Sequence, residues 1–406
     1  MNLQQILTII VLFIFNFQLL DNIPIKIGPL TSTMIFEIAV FILILPSLRS
    51  YAHNLGRRGK YILLVCFCML VLSYINLSSK MLNIMPGLIF SSMYAYFMIV
   101  CFFSGGPEYG IWLRRLHLIP AYGIICHFAI NIPDLYSGFD LTTRVAGNQG
   151  VSTLMLILPI CWTQFRREQM LFRFLNLFAI GSAFVMLIVT ASRTAFLCLL
   201  TVSILIIIME KPGAKIKVLM VSLLVALAVY IILPAESEFK IRITSLLNPI
   251  SAFEVDRLSL WKAAILSITE NPLLGGDFRS NVFRLVSEVA PESNYARHIF
   301  FNVAGGNFGT HNGYLATAVD FGIIVAFLYF CFHFFLGRDM LITRRKIRDE
   351  ANQRFLTTGI ISLGAYAILN LTLHAYIGLD FFIIWAVLQC SVNNALLEEE
   401  LEASQS

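Results

Sequence analysis

Long apolar runs separated by short polar segments fill almost the whole chain. A helix that crosses a bilayer needs roughly 20 predominantly apolar residues, and about twelve runs approach that length. The pattern therefore predicts an all-α polytopic membrane protein with about twelve transmembrane helices. The predicted spans are residues 3–20, 31–48, 61–78, 86–104, 116–131, 150–165, 174–191, 194–209, 218–234, 312–336, 355–375 and 379–394.

Residues 235–310 interrupt this pattern, because they are too long and too polar to be a simple connector. This interval carries two short stripes of apolar residues at helical spacing. The first stripe ends at Asn271-Pro272, a pair that stops helices, and the second covers residues 282–289. We expect one large loop with short amphipathic helices inside a single integral membrane domain, residues 1–406, since nothing indicates a separate soluble domain.

The lysines and arginines fix the expected orientation, because most of the chain's 29 basic residues lie in alternate loops. The positive-inside rule places such loops in the cytoplasm, and both termini with them. Residues 132–149, the turn at 192–193 and the long loop are then expected to face outward together. The five basic loops cover residues 49–60, 114–115, 166–173, 211–217 and 338–354.

Composition supports a membrane protein and narrows the chemistry. Apolar residues make up 58% of the chain and charged residues 13%, about half the charged fraction of a soluble protein. All eight cysteines lie in apolar runs, so neither a disulfide framework nor a cysteine metal site is expected. Motifs for nucleotide phosphates, nicotinamide dinucleotides and zinc proteolysis do not occur. We therefore expect no cofactor and no metal.

Two arginines on the expected outer side have the chemistry of an anion site. Arg193 lies at a tight turn between two apolar spans, where it can bind phosphate or act as an interfacial anchor. Arg257 lies near the start of the first loop helix, where its charge adds to the positive helix end. Its alternative role is a salt bridge to Glu254 or Asp256.

His311 lies where the long loop meets the tenth predicted span. A histidine at this boundary can serve as a general base for a hydroxyl nucleophile, although a structural role is the alternative. Asp320 follows nine residues later and is expected two and a half turns deeper in the span, where it orients the helix or neighbours a cation. Arg144 is a third outward arginine.

Four local patterns, in their order along the chain, resemble the superfamily of O-antigen ligases and Wzy-type O-antigen polymerases. The resemblance covers about residues 140–336, and Asn271 and Asp320 stand where the family often has His and Glu. The four patterns are Arg144-Val145-Ala146-Gly147-Asn148, Ser192-Arg193-Thr194-Ala195, Arg257 with Trp261 and Asn271-Pro272-Leu273-Leu274-Gly275, and His311-Asn312-Gly313-Tyr314-Leu315 followed by Asp320-Phe321-Gly322.

The resemblance implies a metal-independent, inverting glycosyltransferase in the bacterial inner membrane. Such an enzyme moves a glycan from undecaprenyl diphosphate to an acceptor hydroxyl at the periplasmic face, with both termini in the cytoplasm. By this resemblance Arg193 and Arg257 bind the diphosphate and His311 accepts the proton of the attacking hydroxyl. The remaining family-like positions are expected to contact substrate (Arg144, Asn312, Tyr314) or to support the site (Trp261, Asp320).

Several functions fit this pattern. An O-antigen ligase uses lipid A–core as acceptor, whereas a polymerase uses another carrier-linked repeat, and the single dominant outer loop favours the ligase. A polysaccharide or lipid transporter is the alternative outside the family, but carriers usually show internal symmetry and polar groups at mid-membrane. A non-catalytic assembly partner is a further alternative. Membrane lipids are expected partners, and nucleic acid is not.

Overall fold

The computed structural model describes most of the membrane domain and parts of the long loop. Described are residues 2–17, 26–27, 30–76, 85–106, 110–130, 148–165, 168–209, 215–216, 220, 231, 237, 240–241, 244, 255–276, 278–289, 310–372 and 379–405. Within them the chain is built from α-helices, one 3₁₀-helix, Ala52–Leu55, and one short antiparallel hairpin, whose strands are Lys26–Ile27 and Leu30–Thr31.

The helices follow the apolar runs closely, because each run can satisfy its backbone only by hydrogen bonding within itself. We number them α1 to α14 in chain order. They are α1 Leu3–Asn16, α2 Ser32–Tyr51, α3 Gly56–Asn76, α4 Met85–Phe103, α5 Gly110–Arg115, α6 Leu118–Ile130, α7 Asn148–Phe165, α8 Met170–Thr190, α9 Arg193–Met209, α10 Val255–Glu270, α11 Phe278–Val289, α12 Gly313–Lys346, α13 Glu350–Thr372 and α14 Leu379–Gln405.

Six helices of the described part are long and apolar enough to cross a membrane: α3 with the turn before it, α4, α8, α12, α13 and α14. Shorter apolar helices correspond to α1, α2, α7 and α9. The all-α class and the membrane character are thereby confirmed. The count of twelve and the outward placement of the loop stay predictions. The ninth predicted span, residues 218–234, lies almost wholly outside the described residues.

Aromatic side chains fill the centre of the membrane domain, where α4, α12, α13 and α14 meet. Trp385 of α14 is almost fully buried, and its ring lies 4.8 Å from that of Phe382 and 6.0 Å from that of Tyr329. The edge-to-face and tilted arrangement of these rings stabilises contacts beyond the area they bury. These ring contacts pack α12 against α14.

Helix α12 consists of two segments, residues 313–321 and 323–346, because Gly322 has φ 80° and ψ 160°. In a straight helix Tyr314 and Phe330 would be separated by about 24 Å along the axis. Their ring centroids lie 4.4 Å apart, so the first segment folds back beside the second. Only glycine adopts this backbone conformation readily.

The reversal corrects one expectation from the sequence. Asp320 was expected two and a half turns deeper in the tenth span than His311. Instead, Asp320 is buried next to the reversal at Gly322, and His311 precedes Tyr314, which lies beside the body of the second segment. The apolar pattern runs unbroken across Gly322, so hydropathy carries no sign of the change in direction.

Candidate functional site

Arg193 is held by a two-residue turn between α8 and α9. Ala191 ends α8 in the left-handed conformation, with φ 46°. The Ser192 hydroxyl then accepts a hydrogen bond from the backbone N–H of Ala195 at 3.2 Å, which caps the start of α9. Ala191 and Ser192 are buried, whereas Arg193 is half-buried as the first residue of α9. Its guanidinium is thus carried by the positive end of a helix.

His311 is held by a second turn, just before α12. The Thr310 hydroxyl donates to the carbonyl of Asn312 at 2.7 Å, and the N–H of Asn312 lies 3.2 Å from that hydroxyl oxygen. These contacts keep His311 in the left-handed region, with φ 50°, a conformation that is strained for a residue with a side chain. Thr310 and Asn312 are buried and His311 is half-buried, so the backbone that carries the imidazole is held in place.

Asn312 and Tyr314, both expected to contact substrate, have positioning contacts within the protein. The Asn312 side chain accepts the N–H of Leu315 at 3.0 Å and so caps α12. The Tyr314 hydroxyl donates to the carbonyl of Ala367 in α13 at 3.1 Å. These bonds fix the start of α12 relative to α13. Contact of either side chain with substrate stays a prediction.

The loop helices α10 and α11 pack on each other and on the first segment of α12. Their small apolar cluster contains Leu260, Ala263, Ala264, Val282, Leu285, Val286 and, from α12, Val319. At the end of α10, Arg284 binds both carboxylate oxygens of Glu270, at 2.9 and 2.7 Å. This hydrogen bonding lowers the pKa of the Glu270 carboxyl. The described part of the loop is therefore an ordered layer against the membrane domain.

The segment after α10 joins this layer to the reversal in α12. The N–H of Gly276 donates to the carbonyl of Val319 at 2.7 Å, and the N–H of Ile323 donates to that of Pro272 at 2.9 Å. The Asn76 side chain, at the end of α3, donates to the carbonyl of Leu274. These bonds satisfy backbone groups that the break at Gly322 would otherwise leave without partners.

This join sets the direction of α10. Its carboxyl end meets the carboxyl end of the first α12 segment, and one turn earlier Leu315 of that segment also packs on the apolar cluster. They therefore run in the same direction, which puts their amino ends on the same side. Arg257 is the third residue of α10, and His311 lies two residues before α12. Only the backbone of Arg257 is among the described positions.

Helix α13 connects the Arg193 turn with the His311 turn. The Cys198 thiol of α9 lies 3.9 Å from the carbonyl of Ala365, and the Tyr314 hydroxyl binds the carbonyl of Ala367. Cys198 is five residues from Arg193, which is about 7.5 Å along a helix. Both turns are thus braced on the same part of α13. Arg193, Arg257 and His311 all lie at helix amino ends, an arrangement suited to an anion.

The indole nitrogen of Trp261 in α10 has no hydrogen-bond acceptor among the described residues. Its N–H group is buried. A buried donor without a partner is costly, and native proteins rarely leave one. Trp261 is four residues after Arg257, so the two positions share one face of α10. An oxygen of a ligand at this face would complete the hydrogen bonding of Trp261.

The sequence motifs contained residues whose role emerges only in three dimensions. Gly275 has φ 73°, and a side chain there would lie 2.6 Å from the backbone of Asp320. Gly275 and Gly322 belong to the quoted motifs, but the sequence assigned them no role. Asn76 gave no signal, since it is 198 residues from its partner Leu274.

Arg144 lies outside the described residues. Among the described side chains, no three His, Cys, Asp or Glu residues form a group that could hold a metal ion.

Gly322→Ala is expected to lower the free energy of unfolding by about 1–3 kcal/mol, the cost of a strained backbone. An added Cβ would also lie 2.0 Å from the carbonyl oxygen of Leu273. Thermal unfolding of the purified protein in detergent measures the effect. Gly181→Ala in α8 is the matched control, because its Cβ would meet nothing within 4 Å. Equal unfolding temperatures for the two variants would contradict the strained reversal.

The family model described as O-antigen ligase matches residues 177–330. No protein of curated function matches the chain. The matched stretch contains Arg193, Arg257 and His311, together with both loop helices and the reversal in α12, whereas Arg144 precedes it. The resemblance to the superfamily of O-antigen ligases and polymerases is thereby confirmed over this stretch.

Proposed function

We propose, from the O-antigen ligase match over residues 177–330, that the protein is a membrane glycosyltransferase of the O-antigen ligase type. Its donor is a glycan on undecaprenyl diphosphate, and its acceptor is a hydroxyl on lipid A–core. The observation that carries the proposal is that Arg193, Arg257 and His311 share one kind of position in the fold. Each lies at a helix amino end, and the helices are joined through α13 and through the segment after α10.

The chemistry follows from these three groups. The acceptor hydroxyl attacks C1 of the donor sugar on the face opposite to the diphosphate, and its proton passes to the imidazole of His311. The C1–O bond breaks, and its electron pair goes to the departing diphosphate oxygen. Arg193 and Arg257 stabilise the charge that develops there, by about 1.5–3 kcal/mol for each charge-assisted contact. The reaction inverts C1 and uses no metal, since the arginines supply the positive charge.

Trp261 is assigned a contact with the donor glycan or its diphosphate. Trp261→Phe keeps an aromatic ring and removes the N–H, so kcat/KM for transfer is expected to fall about 2- to 13-fold, the loss of one ordinary hydrogen bond. Trp112→Phe is the matched control, because Trp112 lies in α5 at a predicted basic loop. Unchanged kcat/KM in the Trp261 variant would remove the donor contact from the proposal.

Transfer by purified protein tests the proposed activity. The full chain in detergent is mixed with an undecaprenyl-diphosphate glycan and a lipid A–core acceptor, and the product is followed by gel and mass spectrometry. Glycosylated acceptor and free undecaprenyl diphosphate are expected. A transporter would produce neither, because detergent abolishes sidedness and leaves no translocation to observe. If well-folded protein gives no product, either with lipid A–core or with a carrier-linked repeat as acceptor, the enzyme proposal is overturned.

Repeat-unit polymerisation is the second candidate, since it uses the same donor site with a different acceptor. One large outer loop in a chain of this length favours the ligase. Glycan gels of a strain that lacks the gene separate the two functions. Loss of a ligase leaves bare core and carrier-linked polymer, whereas loss of a polymerase leaves core that carries one repeat.

The proposed location is the bacterial inner membrane, with the active site on the periplasmic face. Support comes from the basic loops, which alternate along the chain and leave the Arg193 turn and the long loop on the less basic side. In this arrangement the donor lipid tail lies against the outer halves of the spans, and the layer formed by α10 and α11 covers the sugar. The loop is therefore part of one membrane domain.

A further inference from the structure

A cavity with basic and apolar lining lies at the end of α12 opposite the reversal at Gly322, and its basic residues belong to the predicted cytoplasmic loops. Its volume is about 340 Å³, within the usual range for small-ligand sites. The start of α3, the carboxyl-terminal part of α12 and the middle of α14 line it. Its lining includes four basic residues, Arg57, Arg58, Arg338 and Lys346, and a single carboxylate, Asp339.

Arg58 neutralises the carboxylate. Its Nε lies 2.9 Å from one Asp339 carboxylate oxygen and its Nη2 3.5 Å from the other. The guanidinium also lies over the ring of Phe335, 4.5 Å from the centroid. Arg57 and Lys346 are exposed, and within the described residues neither forms an ion pair. The cavity therefore keeps an excess of positive charge after its internal pair is formed.

The remaining lining is suited to a group that is both anionic and hydroxylated. The Gln389 side chain is buried, and its Oε1 accepts no hydrogen bond from the described residues. A hydroxyl of a ligand can donate to this oxygen. Leu55, Ile342 and Leu396 add apolar surface at the same cavity. Basic pockets between membrane helices on the cytoplasmic side are typical sites for anionic lipid headgroups.

From this geometry we infer that the cavity binds a phosphate ester that carries hydroxyl groups. Two sources have this chemistry: the headgroup of a glycerol-bearing anionic phospholipid, and a soluble phosphate ester from the cytoplasm. Arg57, Arg338 and Lys346 contact the phosphate, and Oε1 of Gln389 accepts a hydrogen bond from a ligand hydroxyl. The site is independent of the proposed transfer reaction, because none of its residues belongs to the donor site.

Binding to the purified full chain tests the inference. Native mass spectrometry compares dioleoylphosphatidylglycerol with dioleoylphosphatidylcholine, and wild-type protein is expected to bind the anionic lipid at least about tenfold more tightly. The double variant R57Q/K346Q is expected to lose on the order of 30-fold in that affinity, about fivefold for each cation. K60Q/R345Q is the matched control, since it removes two charges from the same loops outside the cavity.

A variant with the opposite sign guards against trivial loss of folding. Asp339→Asn removes the one negative charge of the lining and frees Arg58 from its ion pair, so binding is expected to tighten about fivefold. Competition by glycerol 3-phosphate distinguishes the sources: displacement assigns the site to soluble phosphate esters, and retention of the lipid assigns it to the membrane. Equal binding of the two lipids together with no binding of glycerol 3-phosphate, or equal loss in both double variants, would overturn the inference.

Discussion

Replacing His311 with glutamine is expected to lower the rate of glycan transfer by about 10²–10⁴-fold, the usual contribution of a general base. Glutamine keeps a polar side chain of similar reach but accepts no proton at neutral pH. The turn at residues 310–312 is held by Thr310 and Asn312 rather than by the imidazole, so the protein is expected to fold normally. Single-turnover transfer by purified variant measures the rate.

Donor binding separates the base from a mere contact residue. With His311→Gln, the affinity for the carrier-linked glycan is expected to stay within a few-fold of wild type, because the proton is transferred only in the transition state. His127→Gln provides the control, since His127 is exposed near the end of α6 that the basic-loop pattern places outward. Loss of donor binding equal to the loss of rate would reject the base role and favour a substrate-contact role.

Replacing Arg193 with alanine is expected to lower kcat/KM by about 10²–10³-fold, the effect of removing one preorganised donor to a developing oxyanion. Arg193→Lys is expected to recover only part of this, because an ammonium lacks the planar fork that binds two phosphate oxygens. The turn itself is maintained by Ser192 and Ala191, which are buried. Steady-state transfer with the purified variants gives both values.

The alternative role of Arg193 as an interfacial anchor predicts a different result. An anchor needs only charge near the boundary, so lysine would restore full activity, and alanine would reduce protein level rather than kcat/KM. Arg173→Ala is the control on α8, because Arg173 is an exposed arginine near the opposite end of that helix. Normal kcat/KM for Arg193→Ala at normal protein level would contradict a role in catalysis.

The sequence predicted the helices well where apolar runs and stop signals coincide. Helix α10 ends at Glu270, just before Asn271-Pro272, as the pair predicts. Arg193 was expected at a tight turn and lies in one; His311 directly precedes α12, as expected, but the first segment of α12 folds back beside the second. Helix α12 extends beyond its predicted end to Lys346. Basic residues continue it, because they interact favourably with the negative end of the helix.

The relations between segments could not be predicted from the sequence. The fold-back at Gly322 depends on a backbone angle, and the apolar pattern on either side looks like one continuous span. The bonds from Pro272 and Gly276 to α12 join residues that are 51 and 43 positions apart, with no local signature. The bracing of the Arg193 and His311 turns on α13 is similarly long-range. Hydropathy gives the length of an element, but only packing gives its neighbours.

In the proposed reaction Arg193 and Arg257 act on the same departing diphosphate. A double-mutant cycle on the single-turnover rate tests this most directly, with purified wild type, R193A, R257A and the double variant. Each single variant is expected to lose about 100-fold or more. Because residues that stabilise one charge are coupled, the double variant should lose much less than the product of the two single losses. A double loss equal to that product, or wild-type rates in both single variants, would contradict a shared site.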